Sequence, residues 1–233
     1  MAPGQKPFYI ALGIVVLGGA AFIASRIGGS GNVSIPANVV VAAADTSGFR
    51  GYLLGSPSAP VEISEYADYQ CPHCGSFAEV QWPDIKARLI DTGKARWRFR
   101  DFPIEGPQSR TAAHAAACAD DQGKFWEVEG GLFRRQTDWA FHANPMPVIT
   151  AIVKDAGLDV GSWTSCMTSA KYAGRIQASA NEGTALGVNS TPSFLIAGRI
   201  YTSISADSMV KMVDAMAAAA PRPAEATKPT PGQ

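Results

Sequence analysis

The stretch Glu65-Tyr66-Ala67-Asp68-Tyr69-Gln70-Cys71-Pro72-His73-Cys74 constrains this chain more than any other. Val61-Glu62-Ile63-Ser64-Glu65-Tyr66 alternates apolar and polar residues, the pattern of a half-buried strand. After Cys74, the residues Phe77, Val80, Ile85 and Leu89 recur at helical intervals. A strand that passes into a helix through Cys-Pro-His-Cys puts both cysteines on one side of the first turn, where they can close a small disulfide ring. Pro72 suits the first helical position, where its missing N–H would have no partner. The helix N-terminus favours a thiolate over a thiol, and a protonated His73 adds to that. Cys71 is therefore expected to be the exposed nucleophile and Cys74 the resolving thiol one turn further in.

A lone C-x-x-C also fits a structural disulfide or half of a zinc site. Zinc takes about four ligands; there is no second C-x-x-C, and His114 and His142 are scattered. The strand-then-helix context points to redox chemistry. It calls for neither a cofactor nor a metal.

A second stretch, Gly187-Val188-Asn189-Ser190-Thr191-Pro192-Ser193-Phe194-Leu195-Ile196, places a proline directly before a β pattern. Proline cannot donate to a ladder, so it belongs at a strand's first residue or in a special turn. Strand, C-P-H-C, helix, a long helical middle, then Thr-Pro and a hairpin resembles the DsbA branch of the thioredoxin superfamily. Arg100-Asp101-Phe102-Pro103 and the position of Glu65 add to the likeness, which covers Gly51 to Ala217. The resemblance implies an α/β fold, thioredoxin-like, with a helical insertion at about 104–186 between a βαβ half and a C-terminal ββα half. It also implies that Pro192 is cis, that Thr191 and Pro192 bind extended substrate against the Cys71 sulfur, and that Glu65 is a buried proton relay. The other reading of Glu65 is a surface carboxylate on a strand edge; its parity with Val61 and Ile63 favours the inward one.

Taken in order, the rest of the chain fills out that plan. Pro7 to Ser25 carries no charge and lies between Lys6 and Arg26, long enough to span a bilayer. A cleaved signal peptide is the alternative, although Phe22-Ile23-Ala24 is a poor cleavage site. Residues 1–27 are thus expected to anchor the chain, 28–50 to form a linker with a short strand at Val39–Val41, 51–219 to fold, and 220–233 to form a disordered tail. Pro83 is expected to kink the helix that follows Cys74. Ala95–Arg100 alternates as a strand, and its Arg96, Arg98 and Arg100 read as a solvated or helix-covered polar face rather than an anion site. Helices are expected at 109–122, 124–136, 146–156, 160–167, 172–186 and 207–219, and a hairpin at Ser193–Ile196 and Arg199–Ser203. Phe125, Trp126 and Trp139 read as core, and His114 as a structural or surface histidine.

Net charge is zero, so a nucleic-acid partner has no electrostatic support. The resemblance implies thiol:disulfide exchange on unfolded or reduced secreted proteins, outside the cytoplasmic membrane. The implied partner is a membrane reoxidase of the DsbB or vitamin K epoxide reductase-like type. Oxidation, or reduction and isomerisation, can each run through such a site, and a tethered peptide-binding module is a third reading. Disulfide-linked insertions occur in actinobacterial relatives that the chain resembles, and the cysteine count is even, so Cys118 and Cys166 are expected to pair. The alternative is two buried free thiols acting as small apolar residues.

Overall fold

The computed structural model describes residues 39–219, together with 33, 35 and 36. The expected membrane span and the C-terminal tail lie outside the described residues. Among the described residues, no helix is long and apolar enough to cross a membrane.

The framework is a five-stranded sheet in the order β1-β3-β2-β4-β5, with β1 Tyr52–Leu54, β2 Val61–Ala67, β3 Ala95–Asp101, β4 Ser193–Ile196 and β5 Arg199–Tyr201. β2 and β3 are parallel, with Glu65 opposite Phe99, while β1 and β4 run antiparallel to their neighbours. Parallel neighbours need a crossover. Here it is α2 Pro72–Val80, α3 Trp82–Ile85 and a π-helical turn at Lys86–Ile90. The break falls at Gln81, because Pro83 lacks an N–H and its ring clashes with the carbonyl one turn back.

The helical insertion follows β3: α4 Pro107–Asp120, α5 Phe125–Arg134, α6 Gln136–Trp139, α7 Met146–Asp155, α8 Val160–Thr168 and α9 Ala173–Ala185. The chain then returns through the β4–β5 hairpin, turned at Ala197 and Gly198 with φ of 48° and 78°, and closes with α10 Ala206–Ala219. Positive φ at both turn residues matches the right-handed twist of the flanking strands.

Both faces of the central strand are covered. On one face, Val61 and Ile63 of β2 join Phe77, Ile85, Leu89, Trp97, Phe194, Met209 and Val213 in one apolar cluster. On the other, Tyr66 packs with Phe102, Ala180 and Val188. Burial of this kind supplies roughly 25 cal/mol per Å² of apolar surface removed from water.

Two features differ from the sequence-based reading. Val39–Val41 forms no strand; the strand is Tyr52–Leu54, too short to show a period. It lies on the sheet edge after Gly51, where φ is 104° and a Cβ would stand 2.6 Å from the Phe99 carbonyl oxygen. Part of the expected linker is folded: α1 Ala43–Thr46 sets Asp45 against Gly174 of α9, and the Phe49 ring carries the Arg175 guanidinium 4.1 Å from its centroid. The arginine row of β3 is the polar face expected, partly open to solvent at Arg96 and covered by α9 at Arg100. Arg96 and Arg98 both donate to Glu62, and Arg100 pairs with Glu182. The Arg98 bond, against the opposing effect of partial burial, holds the Glu62 carboxyl down at about 2.

Candidate redox active site

Cys71 is the residue before the first turn of α2, extended at φ −70° and ψ 120°, with Pro72 opening the helix behind it. Cys74 lies one turn in and is fully buried. Both thiols are free. The Cys71 thiol donates to the Thr191 carbonyl oxygen at 3.4 Å, and the Thr191–Pro192 peptide bond is cis. The structure thus brings Cys71, Cys74, Thr191 and Pro192 into one cluster, although the two motifs lie at opposite ends of the folded unit.

Cys71 is not the exposed nucleophile expected from its position before a helix. Only 1% of its surface meets solvent, because the loop carrying Thr191 closes over the sulfur. Pro72 and His73 are the exposed members of the motif. His73 acts on Cys71 through its backbone N–H, which faces the sulfur alongside that of Cys74.

The two sulfurs are polarised in opposite directions. A hydrogen bond from the Cys74 thiol lowers the Cys71 thiol to about 6 against the opposing effect of burial, with help from Thr191 and the two backbone N–H groups. Burial and the neighbouring Cys71 push the Cys74 thiol well above its usual range. The Thr191 hydroxyl is buried without a partner in this dithiol state. When Cys71 ionises, its sulfur can no longer donate to the Thr191 carbonyl and becomes an acceptor that the orphaned hydroxyl can serve.

Beneath the cysteines lies Glu65, 4% exposed, with its Oε2 accepting the Trp97 indole N–H at 3.1 Å. Burial raises its carboxyl to about 8, and the single indole bond offsets this only in part. Glu65 is therefore an inward, neutral acid at pH 7, as strand parity indicated, and not a surface carboxylate.

A family model described as Thioredoxin matches residues 49–215. The chain belongs to the thioredoxin family. Within it, the fold follows the DsbA pattern. The crystal structure of Wolbachia pipientis alpha-DsbA1 superposes with a TM-score of 0.66 at 23% identity, covering 73% of this chain and 92% of that one. A Rickettsia prowazekii protein, provisionally named a protein-disulfide oxidoreductase, is 29% identical over 163 residues, 70% of this chain and 60% of the relative. The Na(+)/H(+) antiporter NhaA 3 of Salinispora tropica is 31% identical over 152 residues, 64% of this chain and 22% of the antiporter. The chain thus spans less than two thirds of the length of these curated relatives.

Around this thioredoxin-family core, the insertion clamps the loop before Cys71. Gln136 donates from one amide nitrogen to the carbonyls of Tyr69 and Cys71, at 2.7 and 2.9 Å. Gly75 is required beneath it, since a Cβ there would stand 2.5 Å from the Gln136 side-chain oxygen. Gln70 donates to the Ala140 carbonyl and accepts from Ser109. Asp68 accepts from the backbone N–H groups of Gln70, Ile104 and Glu105. These residues escape a reading by local pattern, because their partners lie far along the chain. Only the run of polar residues between a strand and a helix hints at them.

Cys118 of α4 and Cys166 of α8 are joined by a disulfide, Cα to Cα 5.8 Å. His114, one turn before Cys118, is fully buried and accepts from the Tyr172 backbone N–H. Burial lowers it to about 4, so it is neutral at pH 7. His114, Cys118 and Cys166 form a close group of potential metal ligands, but both sulfurs are engaged in the disulfide.

Proposed function

We propose that this chain is a thiol:disulfide oxidoreductase that introduces disulfides into other proteins through Cys71 and Cys74. The observation that carries the proposal is the meeting of the two free thiols at the start of α2 with the cis Thr191–Pro192 loop, Cys71 donating to the Thr191 carbonyl at 3.4 Å. The opposed polarisation of the two sulfurs agrees with it. A substrate thiolate attacks the Cys71 sulfur, the Cys71–Cys74 bond breaks, and Cys74 leaves and takes a proton. A second substrate thiolate then attacks its own sulfur in the mixed disulfide and displaces Cys71 as a thiolate. The leaving group in that last step is the stabilised sulfur. Stabilising the reduced thiolate also makes the disulfide more oxidising, an effect for which DsbA is the standard illustration.

Thr191 and Pro192 are assigned to substrate binding, since they lie against the reacting sulfur. Glu65 is assigned to proton exchange with Cys74. The site works outside the cytoplasm, held at the membrane by the uncharged stretch Pro7–Ser25, on reduced secreted proteins. A membrane quinone reductase of the DsbB or vitamin K epoxide reductase-like type returns the pair to the disulfide. The buried Cys118–Cys166 bond supports an oxidising compartment.

A redox titration of the Cys71–Cys74 couple tests the direction. A potential near that of DsbA, about −120 mV, supports the oxidase; one near thioredoxin, about −270 mV, makes the chain a reductase.

A further inference from the structure

Glu129 has no part in the chemistry described so far. It lies on α5 four residues from both Phe125 and Phe133, so the three side chains share one stripe of the helix. Phe125 and Phe133 pack against Phe99, with ring centroids 5.7 and 6.4 Å away. Phe99 is the strand partner of Glu65. The stripe therefore carries Glu129 across the strand position beside the buried carboxyl. Its outer side lines a cavity of about 570 Å³, walled by Leu54, Trp82, Trp126 and Phe133. Leu54 stands opposite Trp97 in the sheet, and the Trp82 ring lies 4.6 Å from the Trp97 ring, whose N–H binds Glu65. Among the described residues, no ion pair or hydrogen bond holds the Glu129 carboxyl.

We propose that Glu129 is the outer carboxyl of a two-step proton path that joins the cavity to Glu65 and, through it, to Cys74. The inference rests on the redox role of Cys71 and Cys74 given above. When a thiolate attacks Cys71, a new S–S bond forms, the Cys71–Cys74 bond breaks, and the electron pair leaves on the Cys74 sulfur. Glu65 gives that sulfur its proton. Glu129 reprotonates Glu65 and is reprotonated from the cavity. On reoxidation, each proton runs the other way. Glu65 alone cannot exchange protons with solvent, since it is walled by Trp97, Phe99 and Phe194. Glu129 lines the cavity and stands on the stripe between Phe125 and Phe133, the two rings that pack on Phe99, and so is placed to close that gap.

The electrostatics agree with the geometry. Burial, reinforced by Glu65, raises the Glu129 carboxyl to about 8, while Arg134 opposes. The charged and titratable groups facing the pair are Cys74 of α2, Tyr69 of the preceding loop and Arg134 of α5, with Glu79 and Lys86 at the cavity wall. A carboxyl that gains and loses its proton near the working pH suits a relay.

The test is stopped-flow reduction of the oxidised full chain by dithiothreitol, followed by Trp fluorescence from about pH 6 to 9, where the raised carboxyls titrate. Replacing Glu129 by Gln removes the outer step and one of two like charges. Reduction slows by about tenfold or more, and the remaining ionisation moves down by about one pH unit. Glu129→Asp recovers most of the rate. A Glu129→Gln profile that overlays the parent overturns the proton path and leaves the redox site standing. A parent chain whose Cys71–Cys74 pair does not cycle overturns the reading of the site as well. If Glu129→Gln does not fold, carboxyl carbon NMR of the unsubstituted chain decides. Two coupled titrations well above 4.5 support the path, and a Glu129 that titrates at its ordinary 4.5 overturns it.

Discussion

The Trp97 indole N–H points at Oε2 of Glu65 from 3.1 Å, and among the described residues it is the single hydrogen bond made to that buried carboxyl. A fully stabilised carboxylate accepts two or three such bonds. One bond leaves the balance with burial, and the carboxyl holds its proton up to about pH 8.

The pH dependence of stability follows. In the unfolded chain Glu65 releases its proton near 4.5; in the folded chain it keeps it until about 8. The folded state binds the extra proton in this window, so the Glu65 contribution to stability is greatest below pH 4.5 and falls as pH rises toward 8, while the lowered Cys71 and His114 contribute in the opposite direction. Glu129 titrates over the same window and adds to the slope. Urea unfolding at pH 5 and pH 8 should show the parent chain losing on the order of 3 kcal/mol more over this range than a chain without the Glu65 carboxyl. Glu65→Gln should show a visibly shallower loss. An identical slope in the variant would mean that Glu65 is ionised in the fold.

Alkylation of the reduced chain should distinguish the two thiols. Cys71 reacts as its thiolate, so its rate should rise with pH through about 6 and level off above it. Cys74 should stay silent over the same range, because burial and the adjacent Cys71 push its thiol up. The quantity to read is the pH of half-maximal rate, since covering by the Thr191 loop lowers the absolute rate at every pH. Peptide mapping that finds the first label on Cys74 would reverse the assignment.

What local pattern can show, the sequence showed. β2, the Cys71–Cys74 turn, the break near Pro83 and the β4–β5 hairpin all follow from residues within a few positions of one another. β1 did not, because three residues carry no period. The cover over Cys71 did not, because it comes from Thr191, which no helix-terminus argument reaches and which only the family resemblance placed against that sulfur. Gln136 and Glu129 were hidden for the same reason. Their meaning lies in what α5 and α6 pack against, and a helical pattern does not name the strand it will cover.

Thr191 offers a separation of stability from redox tuning. Its hydroxyl is buried and unpartnered while Cys71 is a thiol. Thr191→Val removes an unsatisfied polar group and keeps the shape, so below pH 6, where Cys71 is a thiol, the reduced chain should unfold about 1 kcal/mol less readily. The same change removes a donor to the thiolate. The Cys71 thiol should rise by about one unit, and the couple should become about 20 mV more reducing. A variant with both quantities unchanged would show that the hydroxyl does not serve the sulfur.

The Cys118–Cys166 disulfide and the active site share α4 but use opposite ends of it. Ser109, near its start, accepts the task of fixing Gln70 through its backbone N–H and hydroxyl. Cys118 lies about 14 Å further along the helix, at a rise of about 1.5 Å per residue. Both sulfurs lie in the last turn of their helices, away from the N-terminal N–H groups that stabilise Cys71 as a leaving thiolate, so a mild reductant that opens Cys71–Cys74 should leave this bond intact. Replacing Cys118 and Cys166 together by Ala frees a long loop in the unfolded chain and should cost about 4 kcal/mol of stability in the chain-entropy model. The pH of half-maximal Cys71 alkylation should not move, since the groups that set it are Cys74, Thr191 and the first turn of α2. A shift in that pH, with the variant still folded, would show instead that the bond holds α4, and through it Gln70, in place for catalysis.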